Sequence, residues 1–181
     1  MIIRLAADLQ TDSIVDGIGI RTVIWTQGCS HNCPYCHNPK THDFNGGDLV
    51  ELEDVIEELE NLSGQDGVTF SGGDPMFQPR ECAILAKKAH ELGMNVWAYT
   101  GFTFEELIEK GNKDILEFLN NIDVLIDGRF EIDKKSLDLE FRGSSNQRII
   151  DIPKSLDMHE AVLYDLGYKN TSKKNKETLY I

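Results

Sequence analysis

The sequence predicts a single-domain α/β fold with parallel strands and helices on the outside, and three observations lead there. Short β-branched runs alternate with segments of helical period. The strand-like runs end in polar or glycine-rich stretches, and 181 residues suit one domain with its own core. The first clear strand is Thr22-Val23-Ile24-Trp25-Thr26, entered from the glycine-punctuated turn Asp16 to Arg21. After Gly46-Gly47, Leu52, Val55, Ile56, Leu59 and Leu62 repeat at helical spacing, while Glu51, Glu53, Asp54, Glu57, Glu58 and Glu60 fill the solvated face. Gly67 to Phe70 is a second strand, broken by Ser71-Gly72-Gly73-Asp74-Pro75. A helix begins near Pro79 and stops at Gly93, with Cys82 inside it as a small buried apolar residue. Asn95 to Tyr99 is a third strand, and Thr103 to Glu106 is a capping box opening a helix that runs to Leu119 with a break at Gly111. Asp123 to Gly128 is the fourth strand. Met158 to Leu166 reads as a short helix, and Lys169, Lys173, Lys174 and Lys176 form a basic patch in a solvated tail.

Alternating strands and helices imply right-handed β-α-β units, whose sheets hold ligands at the carboxyl ends of the strands. That rule gathers the loop after Thr26, Ser71 to Pro75, Thr100-Gly101 and Asp127-Gly128 on one rim. A formal charge of -13 argues against a nucleic-acid or anionic-membrane partner, which clustered Lys and Arg would serve. With no signal-like or membrane-length apolar run, the expected location is cytoplasmic. Thiols stay reduced there, so clustered cysteines point to metal or redox chemistry.

Three of the four cysteines lie in Thr26 to Pro39 as Cys29, Cys33 and Cys36, spaced C-x-x-x-C-x-x-C. Cys33-Pro34-Tyr35-Cys36 alone reads as a glutaredoxin-type dithiol, but that chemistry has no use for Cys29. Cys33 to His37 spells the haem-attachment motif of exported proteins, without an export signal to accompany it. A structural zinc site would complete its tetrahedron with His31 or His37. Three thiolates without an obvious fourth suit an iron-sulfur cubane that leaves one iron open for a ligand. Spacing leaves zinc and dithiol chemistry open beside it.

The loop resembles the signature of the radical S-adenosylmethionine enzymes, including an aromatic residue, Tyr35, just before the last cysteine. Ser71-Gly72-Gly73-Asp74-Pro75 resembles that superfamily's glycine-rich motif. Asp16 to Arg21, Gln27-Gly28-Cys29 and Cys36-His37-Asn38-Pro39 narrow the likeness to the glycyl-radical activating enzymes. Trp97 to Phe102, Asp123 to Phe130 and Arg142 to Arg148 narrow it further, to the branch serving anaerobic ribonucleoside-triphosphate reductase.

The resemblance implies a partial (βα) barrel, with a radical-SAM core over residues 1–150, a cluster loop over 27–39 and a C-terminal extension over 151–181. It implies a 4Fe-4S cluster on Cys29, Cys33 and Cys36, with S-adenosylmethionine chelating the open iron. Reductive cleavage would then yield a 5′-deoxyadenosyl radical that takes hydrogen from a glycine Cα of the reductase. Tyr35 and the backbone at Cys36 and His37 would line the adenine side; Gly72, Gly73 and Asp74 would meet the methionyl end. Thr100 and Asp127 are expected at the carboxylate and ribose hydroxyls. His37 and Asn38 are expected to tune the cluster, and Arg21 and Arg142 to pair with a carboxylate or the partner. The implied partners are the reductase and a reducing electron donor such as flavodoxin. The alternatives are an activase of another glycyl-radical enzyme, such as pyruvate formate-lyase, or a small zinc or dithiol binding module.

Overall fold

A computed structural model describes residues 1–167. Four parallel strands form its centre: β3 (Arg21–Thr26), β5 (Gly67–Gly72), β6 (Asn95–Tyr99) and β7 (Val124–Asp127). Four shorter antiparallel strands flank them: β1 (Ile2–Leu5), β2 (Gln10–Ser13), β4 (Asp48–Glu51) and β8 (Arg148–Asp151). The order is β4-β1-β3-β5-β6-β7-β8, and β2 shares with β1 the edge of β3 away from β5. The expected parallel strands therefore form, and the expected mixed α/β single domain with them. The flanking strands each have four residues, too few for their alternation to stand out without a partner.

Helices α1 (Leu52–Asn61), α2 (Pro79–Glu91), α3 (Phe104–Lys110) and α4 (Lys113–Leu119) follow. The capping box is present, Thr103 Oγ1 accepting from the Glu106 N–H at 3.2 Å and Glu106 Oε2 from the Thr103 N–H at 2.8 Å. The break falls at Gly111, whose φ of 59° closes α3, and Asn112 then caps α4. The final helix differs from the expected Met158 to Leu166. Helix α5 (Ile152–Met158) starts at the cap Asp151, with Pro153 in its first turn, and ends on left-handed His159. Beyond it, Leu163 bridges back to Ile150, so this segment belongs to the sheet's edge. The basic patch from Lys169 to Lys176 lies outside the described residues. Among those described, no helix is long and apolar enough to cross a membrane.

Strand alternation divides the core. Ile24, Val68, Phe70, Val96, Ala98 and Leu125 join the helices in the main cluster, with Cys82 fully buried among them. On the opposite face Trp97, Val124, Ile126 and Ile149 pack with Tyr99, Phe141 and Tyr164. Two residues beyond the buried pair Val23 and Thr69, this face carries Trp25 and Ser71, paired in register at the carboxyl end of the strands. That end holds the site.

Candidate iron-sulfur and cofactor site

The cysteine loop leaves β3 at Thr26 and is tied down along its stem. Buried Gln27 donates through Nε2 to the carbonyls of Asp43 (2.6 Å) and Lys40 (3.2 Å). The N–H groups of Gly28 and Cys29 reach Thr41 O (2.8 Å) and His42 O (3.2 Å). Gly28, at φ 102°, has no room for a side chain, since a Cβ would lie 2.7 Å from the Phe44 ring. Farther on, Asn32 (φ 54°) and Tyr35 (φ 58°) adopt left-handed backbone, which costs a non-glycine residue about 1–3 kcal/mol. Each reversal lies within one residue of a cysteine. Cys29, Cys33 and Cys36 all face one cavity of about 720 Å³, walled by Trp25, Ser71, Tyr99, Thr100 and Phe141.

The Asn38 N–H lies 3.4 Å from Cys36 Sγ. Burial still dominates, pushing the Cys29 thiol up to about 11, and it raises Cys33 as well. These are sulfurs in a partly dehydrated pocket, where a bound cation would offset their negative charge. A cubane spreads its three thiolates over three irons. The donor set and cavity therefore fit a 4Fe-4S cluster.

The bend after β5 is welded to the loop. Gly73 N–H donates to Thr26 O (2.7 Å) and Asp74 N–H to Gly28 O (3.0 Å). A Cβ on Gly73 would lie 2.4 Å from Gly28 O. A bound ammonium only donates, so at this bend it would need acceptors such as the carbonyl oxygens of Gly72 and Gly73 or the Ser71 hydroxyl. Asp74 is 1% exposed and does not line the cavity. Its Oδ2 accepts from His31 Nε2 (2.7 Å), Thr100 Oγ1 (2.9 Å) and the Gly101 N–H (2.9 Å), and its Oδ1 from the Met76 N–H (2.9 Å). Expected at the methionyl end, this carboxylate instead has its oxygens filled by protein donors. Thr100 lines the cavity, with its hydroxyl turned to Asp74.

Other expected residues fall in different places. His37 lines the cavity, its ring 4.7 Å from Phe130. The Asn38 carbonyl accepts from the N–H and hydroxyl of Thr41, which shapes the loop's exit. Tyr35 is 79% exposed, outside the cavity lining. Asp127 is also outside it, accepting from Arg148 Nε (3.0 Å) and from the Phe104 N–H (2.8 Å) at the start of α3. Among the described residues Arg21 pairs with no carboxylate. It is fully buried, donating to Thr69 Oγ1, Asn95 Oδ1 and the carbonyls of Ile18 and Val68, with its guanidinium 5.2 Å from the Trp97 ring. Dehydration draws its pKa down to about 10. Arg142 does line the cavity, held through Nη1 by Gln147 O at 2.9 Å.

Sequence reasoning passed over His31, except as a zinc ligand, and also over Phe130 and Gln147. Gln147 Oε1 accepts from the Gly143 and Ser144 N–H groups and its Nε2 donates to Gly128 O, setting the 142–147 loop over the strand ends. Nothing local marks such partners. His31 and Asp74 are 43 positions apart.

Residues 15–150 match the family model described as a 4Fe-4S single cluster domain. A protein of Salmonella typhi named anaerobic ribonucleoside-triphosphate reductase-activating protein is 37% identical over 142 residues, covering 74% of this chain and 90% of its own. Its namesake in Escherichia coli K12 is 34% identical over 143 residues, with the same coverage. The namesake in Enterobacteria phage T4 is 36% identical over 141 residues, covering 75% and 86%. Among solved structures, QueE from Escherichia coli superposes with a TM-score of 0.47 at 15% identity, over 57% of this chain and 54% of that one.

Proposed function

Because the chain belongs to the family of anaerobic ribonucleoside-triphosphate reductase-activating proteins and carries its 4Fe-4S domain, we infer that it is a radical-SAM activase of such a reductase. Its cofactors are a 4Fe-4S cluster and S-adenosylmethionine. The observation that carries this reading is that Cys29, Cys33 and Cys36 all face the cavity that also takes in Gly72 and Gly73.

When bound, this pair supplies one-electron cleavage of the sulfonium and a carbon radical able to take hydrogen from a glycine Cα. The protein's part is placement. Cys29, Cys33 and Cys36 would hold three irons, and the carbonyls at Gly72 and Gly73 would receive the methionyl ammonium beside the fourth. His37 and the backbone at Cys36 lie along the cavity wall toward Phe130, where an adenine ring could rest. Tyr35 would reach that side by swinging inward. Asp74 and Thr100 would support the methionyl pocket from behind, and Asp127 would hold the start of α3 under it.

We read the sheet as a partial barrel whose open side admits the glycine-bearing segment of the reductase. A cytoplasmic setting and a flavodoxin-like electron donor fit the low-potential chemistry. Anaerobic reconstitution with iron and sulfide tests the reading. A paramagnetic signal on reduction that changes on adding S-adenosylmethionine, followed by a glycyl radical on the reductase, is expected. Cys33→Ala should lower radical yield by about a hundredfold or more, since even supporting shells of metal sites are worth about 10- to 100-fold. A colourless protein with stoichiometric zinc would overturn it.

A further inference from the structure

We propose that Ile14 and Val15, with Leu139 and Phe141 beside them, form an apolar shelf that receives the residues flanking the reductase's target glycine. The shelf selects a segment with an apolar side chain next to that glycine. The inference rests on the activase reading above and deepens it, naming how the same cavity recognises its protein substrate. Ile14 is 71% and Val15 69% exposed. Both nonetheless line the cavity that takes in Cys29, Cys33 and Cys36, which places them at its mouth, and Leu139 and Phe141 line it as well.

The two halves of the shelf rest on one indole. A Cβ on Gly17 would lie 2.8 Å from the Trp97 ring, and the Phe141 ring meets the same side chain with centroids 5.4 Å apart. The Tyr99 hydroxyl donates to Phe141 O at 2.7 Å and fixes the second half. Under the first half, Ser13 Oγ donates to Asp16 Oδ2 and accepts from the Val15 N–H at 3.4 Å, while Thr69 Oγ1 donates to Asp16 O at 2.8 Å. The polar groups of this turn are thus tied inward. Ile14 and Val15 belong to neither core cluster, so they face water on a backbone held by other bonds.

The reaction chooses the occupant. Hydrogen leaves a glycine Cα only at contact with the radical carbon, so the glycine has to enter the cavity. A glycine within a chain brings a neighbour on each side, and those neighbours cross the mouth. Glycine has no side chain to make an apolar contact, so its neighbours make it. Covering side chains such as Ile14 and Val15 removes apolar surface from water, which favours docking. An electron donor or a second copy of this chain has no need to cross this rim.

The test compares the reconstituted full chain as wild type, Ile14→Ser, Val15→Ser, the double variant and Ile14→Leu. It measures Kd for the cognate reductase by anaerobic calorimetry, and KM and kcat for glycyl-radical formation. Both side chains are exposed in the free chain, so these substitutions should leave its folding intact. Each serine variant should raise Kd and KM about tenfold with a smaller change in kcat, and Ile14→Leu should stay near wild type. A blocked peptide whose central glycine stands between leucines should inhibit activation by wild type more strongly than its serine counterpart, and the double variant should lose that difference. Unchanged Kd and KM, or a double variant that still distinguishes the peptides, would overturn the proposal. So would altered sedimentation of the variant chain alone, which would assign the patch to a second copy, or a raised KM for the electron donor only. Loss of iron, or of the change in paramagnetic signal on adding S-adenosylmethionine, would also overturn it, because the two residues would then shape the cluster site. A wild-type chain that forms no glycyl radical on the reductase would instead overturn the activase reading.

Discussion

At the scale of single residues, the site depends on backbones that approach too closely for a side chain. Gly73 is such a position, because a Cβ there would press to 2.4 Å from Gly28 O and 2.9 Å from Thr41 O, both rigid backbone atoms. Gly73→Ala must part the β5 bend from the stem of the cysteine loop. Iron retained per chain after desalting should fall several-fold, while circular dichroism stays near wild type. The buried thiols carry a second expectation. Dehydration raises Cys29 to about 11 and raises Cys33, so both hold protons at neutral pH and must release them when metal binds. Cluster assembly at fixed iron and sulfide should speed up as pH rises from 7 toward 9; a flat or falling profile would contradict this. The residues that would hold metal were legible in the sequence from their spacing. The supports of their loop were not, because the hydrogen bond from His31 to Asp74 joins positions that only folding brings together.

At the scale of elements, α3 is held from both ends. Gly111 closes its carboxyl end, and the capping box of Thr103 and Glu106 secures the other, as their local pattern predicts. The pattern does not reveal a second cap, Asp127, which accepts from the Phe104 N–H and is itself held by Arg148. Asp127→Ala removes a buried acceptor and leaves Arg148 half-paired. Its expected cost is about 1–3 kcal/mol, read as a lower midpoint in urea denaturation with an unchanged slope. Arg148 also donates to both oxygens of Glu105, at 3.0 and 2.7 Å, and those bonds hold the Glu105 carboxyl below its ordinary value of 4.5. A carboxyl with a depressed folded pKa contributes stability that is present above its unfolded value and lost as pH falls through the folded one. Acid unfolding below about pH 4.5 should therefore be shallower in Arg148→Gln, relative to that variant's own neutral stability, than in wild type. Helix α5 shows the limit of periodicity. Its start depends on Asp151 and Pro153, while the apolar residues after Met158 serve the edge of the sheet.

For the whole molecule, the 148–158 segment binds the end of the chain's described part to the parallel core. Strand β8 pairs with β7 over four residues, and Ile150 and Ile152 are fully buried in the main cluster. Ile152→Ala should cost about 2–5 kcal/mol, the usual range for emptying such a position, and a chain cut before Arg148 should not fold stably. The same sheet explains why distant motifs meet. Parallel strands all point their carboxyl ends one way, so the loops after Thr26, Gly72, Tyr99 and Asp127 arrive at one end without contacting one another in sequence. The sequence by itself determined the parallel α/β core, the cysteine spacing and the motifs that gather at one rim, because strand period, helix period, caps and ligand spacing are short-range properties. Only the tertiary structure decided that Arg21 is a buried tie, that Asp74 and Asp127 serve neighbouring backbone and side chains, and that His31 ties the cysteine loop to Asp74 beyond the end of β5. Each of those assignments depends on what lies opposite a side chain across the fold, and local pattern carries no record of it.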